Sequence, residues 1–188
     1  VLNHGLYVIS DEIHADLILD NAPHIPIASL DKEIAARTVT LMSASKAFNM
    51  AGICMAFAVY GSPELEKLFS TIPRHLRGGL SALSVAGVSA AFTAGDRWLQ
   101  SVVARLRANR DLLADHVRTN WPEINYLSTQ ATYLAWLDCR KLPIDNSAYR
   151  FFLENAKVDL SDGARFRVPG KGFARLNFAT SEERLPEL

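Results

Sequence analysis

Lys46 sits in Thr40-Leu41-Met42-Ser43-Ala44-Ser45-Lys46-Ala47-Phe48-Asn49-Met50-Ala51-Gly52, among small hydroxyl and apolar residues and with no acidic neighbour in sequence. A lysine placed there tends to be partly desolvated, and desolvation frees a neutral amine able to attack a carbonyl. For a lysine taken alone, a solvated surface turn is the alternative. Asp11 follows the β-prone run 6–10, where the strand should end. In open α/β sheets ligands collect at the carboxyl ends of strands; the alternative is an acid facing water. Arg175 lies inside the apolar strand 173–179. Alternation gives Phe173, Arg175, Asn177 and Ala179 one face, and Ala174, Leu176 and Phe178 the other. An arginine in such a strand calls for an anionic partner, with a protein carboxylate as the simplest candidate.

The elements that must carry these residues follow from local pattern. Thr38–Met42 reads as the strand leading to the lysine, and the apolar run 52–60 as the next strand. Asn21-Ala22-Pro23-His24-Ile25-Pro26 is turn-rich, because the residue before each proline is pushed out of helical conformation. Residues 29–36 read as a short helix or turn. Gly61-Ser62-Pro63-Glu64 predicts a helix start: a serine cap, a proline in the first turn, then an acid near the positive dipole end. Arg74-His75-Leu76-Arg77-Gly78-Gly79 reads as a connector between helices.

From 96 to about 119, Leu99, Val102, Leu106, Leu113 and Val117 form one apolar helical stripe. Arg105, Arg107, Arg110, Asp111, Asp115 and Arg118 are expected on a solvated face, in helical ion pairs worth a few tenths of a kcal/mol. Trp121-Pro122 ends the helix. Beyond it a small α/β domain is expected, with a strand at 131–137, a helix at 146–155, a turn at Ser161-Asp162-Gly163 and the last strand at 173–179.

A chain of 188 residues holds one good-sized domain or two small ones. Twenty lysines and arginines balance 20 aspartates and glutamates, so no net field favours nucleic acid or an anionic membrane. The longest apolar run is too short to span a bilayer. Cys54 and Cys139 lack Cys-x-x-Cys or zinc spacing and read as free thiols of a reducing cytosol. His4, His14 and His24 recur at ten-residue intervals rather than at helical spacing, so no metal site is expected. The chain starts at Val1 without a signal-like pattern, and 181–188 reads like the first turn of an unfinished helix.

Ser43-Ala44-Ser45-Lys46, with Asn49 and Gly52, resembles the cofactor-lysine segment of fold-type I pyridoxal-phosphate enzymes. Tyr7-Val8-Ile9-Ser10-Asp11-Glu12-Ile13-His14 is similar to the strand end that carries their pyridine-binding aspartate. Phe173-Ala174-Arg175-Leu176-Asn177-Phe178-Ala179 is similar to the strand bearing their substrate-carboxylate arginine. The variants Asp11-Glu12-Ile13-His14 with His24-Ile25-Pro26, and Asn49-Met50-Ala51-Gly52, resemble the cystathionine β-lyase (C–S lyase) branch of the class I/II aminotransferase family. Cys54 stands where many aminotransferases carry an arginine for the cofactor phosphate, an arginine the lyase branch often lacks as well.

The resemblance implies an α/β fold: the C-terminal part of a fold-type I enzyme, with a remnant of the large cofactor-binding domain at 1–95, a long interdomain helix at 96–122 and a small α/β domain at 123–188. It implies pyridoxal 5'-phosphate attached at Lys46. Asp11 would meet the ring nitrogen, His14 would lie near the phenolic oxygen, and Ser43, more than Ser45, would bind the phosphate. Turn chemistry for both serines and a satisfied, partly buried histidine at 14 are the simpler readings of those residues alone. Glu12 is given no role.

Arg175 would hold the α-carboxylate of a small amino-acid substrate. The activity implied is β-elimination from cystathionine or a similar sulfur amino acid, in a cytoplasmic homodimer. Transamination by the same residues is the alternative, and a non-catalytic fragment or protein-binding regulator the third.

Overall fold

The computed structural model describes residues 1–144 and 147–185. Strands β1 (Val8–Asp11), β2 (Thr38–Met42) and β3 (Phe57–Tyr60) form the first sheet in that order. β1 runs parallel to β2 with Asp11 opposite Leu41, and β3 runs antiparallel with Phe57 opposite Met42. β2 holds the centre because Thr38, Val39 and Thr40 are β-branched, favour extended backbone and are all buried. β3 is shorter than its apolar run. Ala51–Ile53 forms a 3-10 turn, and Cys54 adopts φ 52°, which no strand accommodates.

Capping defines the helices. Asp31 opens α1 (Lys32–Ala36), accepting from the Glu33 N–H at 2.7 Å, and Ser43 opens α2 (Ala44–Ala47). The Ser62-Pro63 signal starts α3 (Pro63–Ser70) as expected. The connector from Arg74 forms a 3-10 turn ending at Gly78, φ 78°. Ser81 caps α4 (Ala82–Ala94), and α5 (Asp96–Asn120) ends where Trp121-Pro122 predicts.

The second sheet contains β4 (Asn125–Tyr126), β5 (Leu134–Asp138), β6 (Ser161–Asp162) and β7 (Phe173–Asn177), ordered β4-β5-β7-β6 and antiparallel throughout. β5 begins three residues later than expected, after Thr132 at φ 65°. Two residues of the expected 161–163 turn pair with β7 as β6. α6 (Ala148–Ala156) is capped by Ser147; Asn146, its expected start, lies outside the described residues, as do 186–188 of the expected C-terminal helical turn.

The chain divides into two compact units, Val1–Ile18 with Ala22–Ser101, and Leu19–Asn21 with Val102–Leu188. In the first, Ala44, Val88 and Ala91 form a core with Phe48, Met50, Ile53 and Met55 against it. In the second, Leu106, Leu113 and Val117 of the α5 stripe are buried, as are Ala135, Leu137, Ala174, Leu176 and Phe178 from alternate positions of the sheet.

Arg110 departs from its expected solvated place. It is 9% exposed, and its guanidinium donates to the Asp20 carboxylate, to the Thr129 carbonyl at 3.0 Å and to Asp111 at 2.8 Å. Helical periodicity cannot register this, because Asp20 comes from a distant segment. Asn109 beside it donates to the carbonyls of Phe178 and Thr180, both at 2.9 Å, and ties α5 to the chain leaving β7. Arg118 and Asp115 do form the expected exposed pair, at 2.8 Å.

Backbone strain concentrates at Arg167, with φ 72° and ψ −173°. That region is open essentially to glycine alone and costs about 1–3 kcal/mol for other residues. The backbone on either side of it in sequence is closely packed. A Cβ built on Gly163 would lie 2.3 Å from the Gly170 carbonyl oxygen, and one on Gly170 would lie 2.0 Å from that of Gly163. Arg167→Gly is therefore expected to stabilise the full chain by about 1 kcal/mol in urea unfolding, after the added entropy of the unfolded glycine is subtracted. Unchanged or lowered stability would contradict the strain.

Candidate functional site

Because β1 and β2 are parallel, their carboxyl ends meet at one end of the first sheet. There the Asp11 backbone pairs with Leu41, and two residues past Leu41 the chain turns into α2 at Ser43. Asp11 is exposed, and among the described residues its Oδ1 accepts only a long bond from the Ile13 N–H, at 3.3 Å. The second carboxylate oxygen is left for another donor. His14 is half-buried on the turn that follows, which is closed by Ala15 N–H to Glu12 carbonyl and Leu17 N–H to His14 carbonyl bonds of 2.9 and 3.0 Å.

Lys46 lies in α2, half-buried, and takes part in none of the ion pairs formed among the described residues. Its position is set by what flanks it. Ala44 and Ala47 are buried, and Phe48 stacks on Trp98 at 5.9 Å and meets Phe92 edge-on at 5.7 Å. Gly95 admits that ring: a Cβ there would fall 2.5 Å from Phe48 and 2.4 Å from the Ala91 carbonyl.

Ser43 and Ser45 have different duties. Ser43 Oγ accepts from the Ser45 N–H at 3.0 Å and lies 2.6 Å from the Met55 carbonyl and 2.7 Å from Ser45 Oγ. A hydroxyl has one proton to give, and the Met55 carbonyl can only accept. Ser43 therefore spends its proton on the loop before β3, whereas the Ser45 hydroxyl is free to turn its own toward Ser43 or toward an incoming anion.

In the second unit, Arg175 is half-buried on β7, directly opposite Trp136 of β5. The carboxylate partner expected from the strand is not found among the described residues. Instead the guanidinium carbon sits 4.8 Å from the centre of the Phe166 ring, and Nη2 donates to Ser161 Oγ at 3.3 Å. Trp136 stacks on Phe173 at 5.4 Å and meets Phe166 edge-on at 5.4 Å. Burial pushes the Tyr133 phenol up while the charge of Arg175 pulls against it, so the arginine's field reaches that hydroxyl. Arg165 and Arg167 are exposed.

Residues 1–188 match the family model for aminotransferase class I and II. The chain belongs to the class I and II aminotransferase family. A Mycobacterium leprae protein named putative cystathionine beta-lyase is 38% identical to it, over 97% of this chain and 48% of the relative. A putative PLP-dependent beta-cystathionase structure from Corynebacterium diphtheriae matches with TM-score 0.93 at 36% identity, covering 99% of this chain and 49% of that one. A PLP-bound putative aminotransferase from Clostridium difficile gives 0.93 at 31%, with 99% and 49% covered. The chain spans about half the length of these relatives, and over that span its α/β fold is that of fold-type I pyridoxal-phosphate-dependent enzymes.

The chain also holds a buried acid to which sequence reasoning gave no role. Glu12, 7% exposed, accepts from Ser10 Oγ at 3.0 Å and pairs with His24 Nε2 at 2.8 Å. Its backbone N–H meets the Leu41 carbonyl at 2.9 Å, so the residue after Asp11 is fastened by main chain and side chain alike. The signal available was a Glu followed twelve residues later by a His in a proline-locked turn, a spacing that no helix or strand period reveals. Among the described residues no group of His, Cys, Asp and Glu could hold a metal, and no helix is long and apolar enough to cross a membrane.

Burial pushes the Glu12 carboxyl up, but the hydrogen bond from His24, then that from Ser10, then the charge of His24 and the Ile27 N–H outweigh it. The net lies below the ordinary 4.5. A depressed carboxyl stabilises the fold above its unfolded pKa, and the contribution is lost as pH falls through the folded value. In urea unfolding, Glu12→Gln should be less stable than the parent chain near neutral pH, by about 1–3 kcal/mol. The gap should close as pH falls below the ordinary carboxylate range. A gap that holds constant into acid would contradict the pairing.

Proposed function

We propose that this chain is part of a pyridoxal 5'-phosphate-dependent C–S β-lyase, acting on cystathionine or a similar sulfur amino acid to give a thiol, pyruvate and ammonia. The observation that carries the proposal is the parallel β1–β2 pairing, which brings the Asp11 carboxylate to the sheet end from which Ser43, Ser45 and Lys46 lead off. This donor set fits the cofactor: an amine without an ion-pair partner among the described residues for its aldehyde, a carboxylate with a spare oxygen for its ring nitrogen, and a hydroxyl able to turn from Ser43 toward its phosphate. Lys46 would hold it covalently, Asp11 would accept from the ring N–H, and His14 would lie near the phenolic oxygen. Ser45 would donate to the phosphate, while Ser43, whose proton goes to the Met55 carbonyl, would shape the turn that presents it.

When bound, pyridoxal phosphate supplies the electron sink that stabilises negative charge at the substrate Cα. Once the substrate's amino group has displaced it, the freed Lys46 Nζ would take the proton from Cα and later return one, the role of a positioned general base. Arg175 binds the substrate α-carboxylate through paired N–H groups, fixing which Cα bond is presented. Loss of a thiolate from Cβ and hydrolysis then account for the products. The names of the mycobacterial and corynebacterial relatives support the lyase reading, as does Cys54 in place of a phosphate-binding arginine. Transamination by the same residues is the second reading, supported by the likeness to the Clostridium difficile protein.

We further propose that residues 1–95 belong to the large cofactor-binding domain, 96–122 to an interdomain helix and 123–188 to the small domain of a cytoplasmic homodimer. The test is turnover of L-cystathionine by the full-length enzyme that contains this chain. The proposal predicts equal amounts of thiol and pyruvate without any added 2-oxo acid, and none from Lys46→Ala. Arg175→Lys should lower kcat/KM about 100-fold, a loss of about 2.7 kcal/mol carried mainly by KM. Amino transfer to a 2-oxo acid with no thiol released would select the second reading.

A further inference from the structure

Arg175 is held in a manner unusual for a half-buried cation. Its charge is left without an ion pair among the described residues, yet its guanidinium is not loose. The Phe166 ring covers one face at 4.8 Å, and Ser161 takes one Nη2 hydrogen at 3.3 Å. An aromatic face attracts a cation without neutralising it, so both the charge and the remaining N–H groups stay available.

Phe166, although 45% exposed, is held by its neighbours. Trp136 meets its edge at 5.4 Å, and Asp162 caps the 3-10 turn Gly163–Phe166 by accepting from the Ala164 N–H at 3.0 Å. The next residue, Arg167, adopts its glycine-like conformation between Gly163 and Gly170, whose backbones approach closely. Strain of this kind persists only where the surroundings over-determine it, and it gathers at functional sites.

We infer that Phe166, assisted by Ser161, is a positioning residue for Arg175: it fixes the guanidinium plane without discharging it and so presents the unspent N–H groups to the planar carboxylate of a small amino acid. The inference rests on the carboxylate-binding reading of Arg175 given above. A carboxylate partner from the protein would have oriented the arginine too, but it would have consumed the charge the ligand needs. A stacked ring separates the two effects.

The test is the arginine Nε–H NMR spectrum of the full chain, titrated with L-alanine, in the parent, Phe166→Leu, Phe166→Tyr, Ser161→Ala and Arg175→Lys forms. The parent should show a rigid Arg175 side chain, with an order parameter of about 0.8, and a resonance that moves with alanine. Phe166→Leu should lower that value below about 0.6 and weaken alanine binding about fivefold. Ser161→Ala should do the same to a smaller degree. Phe166→Tyr should restore both readouts, and the other arginine resonances should stay in place, which a merely structural role for Phe166 would not produce. If Phe166→Leu leaves Arg175 as rigid and alanine as tightly bound as in the parent, the positioning role is overturned. If the parent resonance ignores alanine, or Arg175→Lys binds it equally well, the carboxylate reading falls and this inference falls with it.

Discussion

The parallel pairing of β1 with β2 is the constraint on which the first unit depends. A slip of one residue in that register would turn every β1 side chain to the opposite face, moving the Asp11 carboxylate away from the sheet end and the Glu12 carboxylate out of its pocket. The register is held at its critical end by more than ladder bonds. The Glu12 N–H closes on Leu41, and its buried carboxylate binds Ser10 and His24, so the two adjacent acids divide the work. Glu12 faces inward and fastens the strand; Asp11 faces outward with an oxygen to spare.

The second unit solves a different problem with Arg175. A charge beside an apolar core is ordinarily matched by an opposite charge. Here aromatic rings and a serine hydroxyl take that place, and the cation is oriented while remaining reactive toward an anion. Arg110 in the same unit shows the contrast. Its guanidinium donates through Nε to Asp111 and through Nη1 to Asp20 and the Thr129 carbonyl, so its charge is matched within the protein.

Much of this was legible in the sequence because it is local. The β-branched run of β2, the Ser62-Pro63 helix start, the Trp121-Pro122 stop and the alternation of β7 each follow from neighbours a few residues apart. The family motifs carried the rest of the candidate site. What escaped was long-range. Arg110 looks like any charged residue of a solvated face until Asp20 arrives beside it, and Glu12 looks idle until the His24 turn folds back over it. The split between Ser43 and Ser45 depends on a carbonyl twelve residues onward, at Met55. The strain at Arg167 was hidden because an arginine occupies a conformation that a sequence reader assigns to glycine.

The central claim is that Lys46 is the amine that carries the cofactor. Its most direct measurement is reduction of the full chain with borohydride in the presence of pyridoxal 5'-phosphate, followed by peptide mass mapping of the labelled lysines. The account predicts one dominant adduct, on Lys46, that disappears in Lys46→Ala while the faint labelling of exposed lysines such as Lys32 and Lys171 persists. Even labelling across all lysines, or a dominant adduct that survives the substitution, would contradict it.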